Sequence, residues 1–297
     1  MASTKAVAKK KAKQESFDPA DRPVRHGWIL TLIFSVIAVI FVSPIFIVLM
    51  NSFKEKSSIN LTPFELPTNE TFVGLENYIR GMSQIDFFAA LKNSLIITIG
   101  SVLVIIVCTS MCGWYIARIN SKGTALIYSL FAFSMIVPFQ MVMYTLSKIA
   151  NSLGLYTPWG IIIIYLGFGA GLSVFMFTGF CKSIPLEIEE AAMIDGCGAL
   201  GIFFRIVLPI MKPTYITVAI LQTMWVWNDY LMPYLILDMT EYKTIPIAIQ
   251  YLKGGYGTVD WGGMMAMLIL AIIPIIIFYV ICQKYIIRGV VAGAVKG

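Results

Sequence analysis

Six stretches of about 20 predominantly apolar residues, near 28–50, 93–116, 124–147, 158–180, 214–237 and 263–283, leave this 297-residue chain few ways to fold. Each is long enough to cross a hydrocarbon core of roughly 30 Å as a helix rising about 1.5 Å per residue. Strict alternation of apolar and polar positions, the mark of a membrane barrel, is absent, so the spans are expected to be helices. A chain that is 58% hydrophobic and 13% charged also lacks the polar surface to cover a soluble globule. The expected fold is an all-α integral membrane protein with six transmembrane helices, in a membrane whose lipid is its solvent.

The formal net charge of +6 raises the question of a nucleic-acid partner, and the placement of the charges answers it. Fifteen of the 22 Lys and Arg residues fall in the N-terminal segment, the loops after spans 2 and 4, and the C-terminal tail. Those segments share one side of a six-span chain. The positive-inside rule makes that side cytoplasmic, with both termini inside. Residues 1–27, with Lys5, Lys9, Lys10, Lys11 and Lys13, read as a disordered basic tail that anchors topology, and no nucleic-acid partner is expected. The apolar stretch from Trp28 is too long and begins too late for a cleaved signal peptide, so it stays as helix 1. The membrane-embedded body spans 28–284, and 285–297 form a cytoplasmic C-terminal tail.

Between spans 1 and 2, the stretch NYIRGMSQIDFFAALKNS mixes apolar and polar positions at helical spacing and predicts a short interfacial helix. The third external loop, about 238–262, carries Gly254, Gly255 and Gly257 and ends on Trp261, a residue suited to the interface. Pro44, Pro138, Pro233 and Pro274 lie in or beside spans, where each removes a backbone hydrogen bond and is expected to bend its helix. Gly167, Gly169 and Gly171 permit either close helix contact or a hinge.

The segment IPLEIEEAAMIDGCGALGIFFRIVLPIMKP, inside the loop 181–213, is too charged for lipid. Pro185 suits the first turn of a helix, and Glu187, Glu189 and Glu190 place negative charge at the positive end of its dipole. Gly196 then supplies a left-handed terminus. A second helical piece follows, with Leu200, Phe203, Phe204 and Val207 in an apolar stripe, and Pro209 is expected to stop it. Such a stripe outside the bilayer either docks in a partner's groove or folds back on the chain's own helix ends.

The spacing of Glu190, Ala191 and Ala192, then Asp195 and Gly196, then Ile206, Leu208 and Pro209 resembles the loop by which permease subunits of binding-protein-dependent ABC importers hold their ATPases. The family commonly has Ala-Ser after the glycine, where this chain has Cys197-Gly198. The terminal run Gly293-Ala294-Val295-Lys296-Gly297 and the pattern Trp227-Asn228-Asp229 resemble the second permease of carbohydrate importers of the maltose type. The resemblance covers essentially everything after residue 27. It implies the type I ABC importer permease fold, with Glu190, Ala191, Ala192, Asp195, Gly196, Phe203, Ile206, Leu208 and Pro209 at the ATPase contact. It also implies a heterodimer with a second permease, two ATP-binding subunits that hold ATP and Mg, an extracytoplasmic solute-binding protein, and the plasma membrane of a bacterium or archaeon. The terminal run is a further ATPase-contact candidate.

Asp229 is the one ionisable residue well inside a span, and Gln222 and Trp225 share its side of the helix. With Asn228, and with Gln140 after Pro138, they are candidates for a solute path or gate; Asp229 alternatively serves as a fixed acceptor. No phosphate loop of the form G-x-x-x-x-G-K-[ST] occurs, and His26 is the only histidine. Neither a catalytic site, a metal site nor a cofactor bound by this chain is expected. The cysteines Cys108, Cys112, Cys181, Cys197 and Cys282 lie in apolar segments or cytoplasmic loops, so disulfides are not expected either.

The expected function is that of a transmembrane subunit of an importer for a sugar or oligosaccharide. A permease for a polyol or glycerophosphodiester is the alternative within the class. A self-sufficient secondary transporter is the alternative outside it, and would require coupling-ion carboxylates at the midplane and an internal repeat.

Overall fold

A computed structural model describes residues 27–253 and 259–294, with side chains described as far as Tyr285. The basic tail and His26, the glycines at 254, 255 and 257, and Val295, Lys296 and Gly297 lie outside the described residues.

Contacts divide the chain into two units, meeting between Val48 and Leu49. The first contains most of α1 (Gly27–Asn51), a helix with Pro44 inside it. Thr31 Oγ1 and Ser43 Oγ donate to carbonyls of their own helix, which removes them as free donors in an otherwise apolar segment.

The second unit continues with α2 (Lys56–Leu61), α3 (Glu76–Gln84), α4 (Phe87–Arg118), α5 (Lys122–Ser134), α6 (Phe139–Ser152), α7 (Pro158–Cys181) and α8 (Leu186–Ile194). It proceeds through α9 (Ala199–Ile210, with a π turn over Phe203–Val207), α10 (Lys212–Asn228), α11 (Leu231–Ile236), α12 (Ile245–Gln250) and α13 (Trp261–Ala294). No strand occurs among the described residues. α3 is the short helix expected before span 2, whereas α2, α11 and α12 carry no periodic signal long enough to predict.

Among the described residues four helices are long and apolar enough to cross a membrane, α1, α4, α7 and α13, and the count reaches six if two bent pairs each form one span. The spans 124–147 and 214–237, in each of which a proline bend is expected, are broken into separate helices. The first breaks between α5 and α6 by 105°, because Pro138 is extended (ψ 137°) and offers no N–H to the carbonyl of Ser134. In the second, α10 ends at Asn228 and α11 restarts at Leu231. A further bend of 77° separates α9 from α10 at Met211, where Pro213 withholds a donor from the turn before it. Pro44 and Pro274 sit inside continuous helices. α13 also runs beyond the expected end of span 6 to Ala294, since no proline interrupts its last turns.

The organising element of the second unit is α4, 32 residues and so about 48 Å long. It packs along α7 and α10. The crossing is close because small residues face it: a Cβ on Gly113 would lie 2.8 Å from Phe177 Cβ, and one on Gly169 would lie 2.6 Å from Ile105 Cδ1. Three apolar clusters follow the length of this bundle. One gathers Phe87, Ala90, Trp227, Ile249 and Met267, one Ile97, Tyr165, Val226 and Met232, and one Phe177, Cys181, Phe203, Val207 and Met211.

At the end of the bundle near Phe87, Arg80 binds Asp260 through Nε (2.9 Å) and Nη2 (3.1 Å). Partial burial pushes the Asp260 carboxyl up, but the bonds from Arg80 and the Gly263 N–H, with the charges of Arg80 and Lys56, outweigh it and hold it below the ordinary carboxylate range. A lowered value contributes stability that is present above the unfolded pKa and lost as pH falls through the folded one. The melting temperature of Asp260→Asn should therefore trail wild type by a constant margin above about pH 4, and the gap should close below it.

The glycine contacts give a sharper expectation. Gly169→Leu should destabilise the chain by about 1–3 kcal/mol through overpacking, while Gly167→Leu, where a Cβ meets nothing within 4 Å, should leave the melting temperature unchanged.

Candidate functional site

α8 begins at Pro185, which stands as its N-cap, with Glu187 and Glu189 in the first turn against the positive end of the helix dipole. It closes as a Schellman motif: Gly196 N–H donates to Met193 O (3.0 Å) and Cys197 N–H to Ala192 O (2.9 Å), with Gly196 at φ +84°. A side chain at that φ is strained, so the reversal between α8 and α9 depends on the glycine. Gly198 caps α9 in an extended conformation without a side-chain bond.

Along α8, Glu187, Ile188, Glu190, Ala191, Met193 and Ile194 are exposed, and Ile194 is 87% so, as are Asp195 and Gly196 beyond it. Ala192 is buried and joins the cluster of Phe177, Ile184, Ile202 and Met211.

The apolar stripe of α9 divides. Phe203 and Val207 are fully buried against the chain's own helix ends, with Phe203 beside the Trp114 ring (5.5 Å between centroids). Leu200 (63%) and Phe204 (48%) stay exposed. Phe203 is thus not presented to a partner in this conformation, because burying it on α4 and α7 removes its whole ring from solvent. Ile206 and Leu208 are half-buried and Pro209 is exposed. Pro209 does not stop the helix, contrary to expectation: the preceding π turn, with Leu208 N–H reaching Phe203 O, carries it to Ile210.

The feature that sequence reasoning missed is Glu189. Only 1% exposed, it pairs with Arg118 at the end of α4, whose Nη2 (2.6 Å) and Nε (2.9 Å) both donate to Oε1. Trp114, one turn earlier, donates its Nε1–H to Oε2 (2.9 Å), and Arg118 Nη2 also donates to Ile184 O (3.0 Å). Both carboxylate oxygens are engaged. Arg118 and Trp114 stand four residues apart on one face of α4, a weak sequence signal, but nothing in the chain ties that face to Glu189 rather than Glu190.

The path candidates fall into separate groups. Gln222 is buried between helices, donating to Gly169 O (3.3 Å) and Ser173 Oγ (3.1 Å). Asp229 accepts from Tyr165 OH (3.0 Å) and from the Leu231 and Met232 N–H groups (2.9 and 3.2 Å), so it caps the first turn of α11. Trp225 lies edge-on to Tyr165 at 5.3 Å and is partly exposed, as is Asn228, whose Nδ2 donates to Met224 O. Gln140 is exposed at the start of α6, and among the described residues no hydrogen bond joins it to either group.

Removing the Glu189 carboxylate strands Arg118 in a poorly solvated site. Glu189→Ala should cost about 3–5 kcal/mol in chemical unfolding of the purified chain, whereas Glu190→Ala, on the exposed face, should change it by less than about 0.5 kcal/mol.

Residues 109–292 match the family described as binding-protein-dependent transport system inner membrane component. The "Probable starch degradation products transport system permease protein" of Thermoanaerobacterium thermosulfurigenes is 38% identical over 91% of this chain and 97% of its own. The multiple sugar-binding transport system permease protein of Streptococcus mutans is 34% identical over 93% and 99%. In three dimensions, a chain from a bacterial ABC transporter involved in import of the acidic polysaccharide alginate superposes with a TM-score of 0.73 at 22% identity, covering 91% of this chain and 98% of that one.

Proposed function

The chain belongs to the family of binding-protein-dependent transport system inner membrane components, a multi-pass membrane protein, and on that premise we propose that it is one transmembrane subunit of an ATP-driven importer of a sugar or oligosaccharide. The names of its relatives support the solute class: one is assigned to starch degradation products and one to multiple sugars. In this reading six spans place both termini in the cytoplasm, a second permease completes the translocation path, a binding protein delivers solute outside, and two ATPase subunits hydrolyse ATP. The chain itself performs no chemistry.

The observation that carries the coupling role is the exposed face of α8. A nine-residue helix held outside the spans turns Ile188, Ala191, Met193 and Ile194 outward beside Glu187 and Glu190. An apolar ridge edged with carboxylates suits a cleft with a basic rim on an ATPase subunit. Glu190, Ala191, Asp195 and Gly196 form that contact, Ala192 and Phe203 support it from beneath, and Ile206, Leu208 and Pro209 lead back toward the membrane. ATP-driven closure of the ATPases then carries α8 with it, and the permease pair alternates between inward and outward access.

On the outer side, Asp229 acts as the acceptor that holds α11, and Trp225 and Asn228 offer a ring face and an amide to a hydroxyl-rich solute. Gln222 ties α10 to α7.

Ala191→Arg on the exposed face should reduce co-purification of the ATPase at least tenfold while the permease still reaches the membrane. Gly196→Val should do the same by straining the reversal. Full assembly and uptake in both variants would contradict the reading.

A further inference from the structure

We propose that Glu189, Arg118 and Trp114 form the joint through which α8 drives α4, so that the two helices move as one lever. The inference rests on the coupling role of α8 given above and adds the residues that transmit its motion.

Four observations converge. First, the joint is directional: two nitrogens of the Arg118 fork and the Trp114 indole engage both oxygens of Glu189, and Arg118 also holds the Ile184 carbonyl just before α8. A planar fork bound in this way fixes the angle of α8 as well as its position. Second, both halves of the loop are keyed to the same turn of α4, since the Trp114 ring that binds Glu189 also packs on Phe203 of α9. Third, the far end of α4 is tied in turn: Asn93 Nδ2 donates to Lys243 O (3.2 Å), and Ser94 Oγ accepts from Ile245 N–H (2.9 Å) at the start of α12. One helix thus links the cytoplasmic loop to the outer segment without an intervening hinge. Fourth, a buried ion pair often contributes no more to stability than apolar packing of the same volume, so its presence at the base of α8 favours a role in register and geometry.

The test uses the assembled importer, with its partner permease, ATPases and binding protein, in which the five native cysteines are replaced and Asn228→Cys is labelled from outside by a membrane-impermeant maleimide. The labelling rate is compared without nucleotide and with ATP trapped by vanadate. Wild-type contacts should give at least a tenfold change in rate. The double variant Arg118→Met with Glu189→Leu, which leaves no orphan charge, should keep ATPase association and ATP hydrolysis but reduce that change to less than twofold. Arg118→Lys, which keeps one charged contact, should restore part of it.

A nucleotide-dependent change that persists at full size in the double variant overturns the proposal. So does loss of assembly in both variants, because the pair would then be a folding requirement alone. Failure of the underlying reading looks different: the chain with its native Arg118 and Glu189 would not co-purify with an ATPase at all.

Discussion

A carboxylate at 1% exposure needs donors on its oxygens, and the placement of Glu189 makes α4 the element on which the loop depends. Arg118 and Trp114 come from one face of α4, and Ile184, Ala192, Phe203 and Val207 close the surrounding cluster. With these contacts α8 stands as a rigid projection; its outward face is then free for a partner because its inward face is fully spoken for. The same helix supports the close crossing with α7 at Gly113 and Gly169 and the tie to α12 at Ser94.

Much of this was legible in the chain. Apolar runs located α1, α4, α7 and α13 to within a few residues at most ends, because nothing but a helix satisfies a lone backbone segment in lipid. Gly196 was legible for an equally local reason, since a helix reversal of this kind needs a left-handed residue. The breaks were not. Pro138 and Pro213 signal bends without stating their size, and the 105° and 77° angles arise from how α5, α6, α9 and α10 settle against α7 and α11.

The candidate site divides along the same line. Glu189 and Glu190 are adjacent and chemically identical, and a step of about 100° around the helix separates a buried, clamped carboxylate from an exposed one. Arg118 and Trp114, 71 and 75 residues earlier, decide which is which. Phe203 and Phe204 are distinguished in the same way, one ring entering the cluster beside Trp114 and the other left outside. Asp229 looked costly within an apolar span, and its three hydrogen bonds at the α10–α11 break explain how the fold accommodates it.

If Glu189 locks α8 to α4, the two helices move as one body. Spin labels at Leu186, exposed at the start of α8, and at Lys92, near the opposite end of α4, would report their separation by pulsed electron resonance in the assembled importer. The distance should be the same, within about 2 Å, without nucleotide and with trapped ATP. A nucleotide-dependent change of about 5 Å or more, roughly one helical turn, would show that α8 moves independently of α4 and would contradict the lock at Glu189.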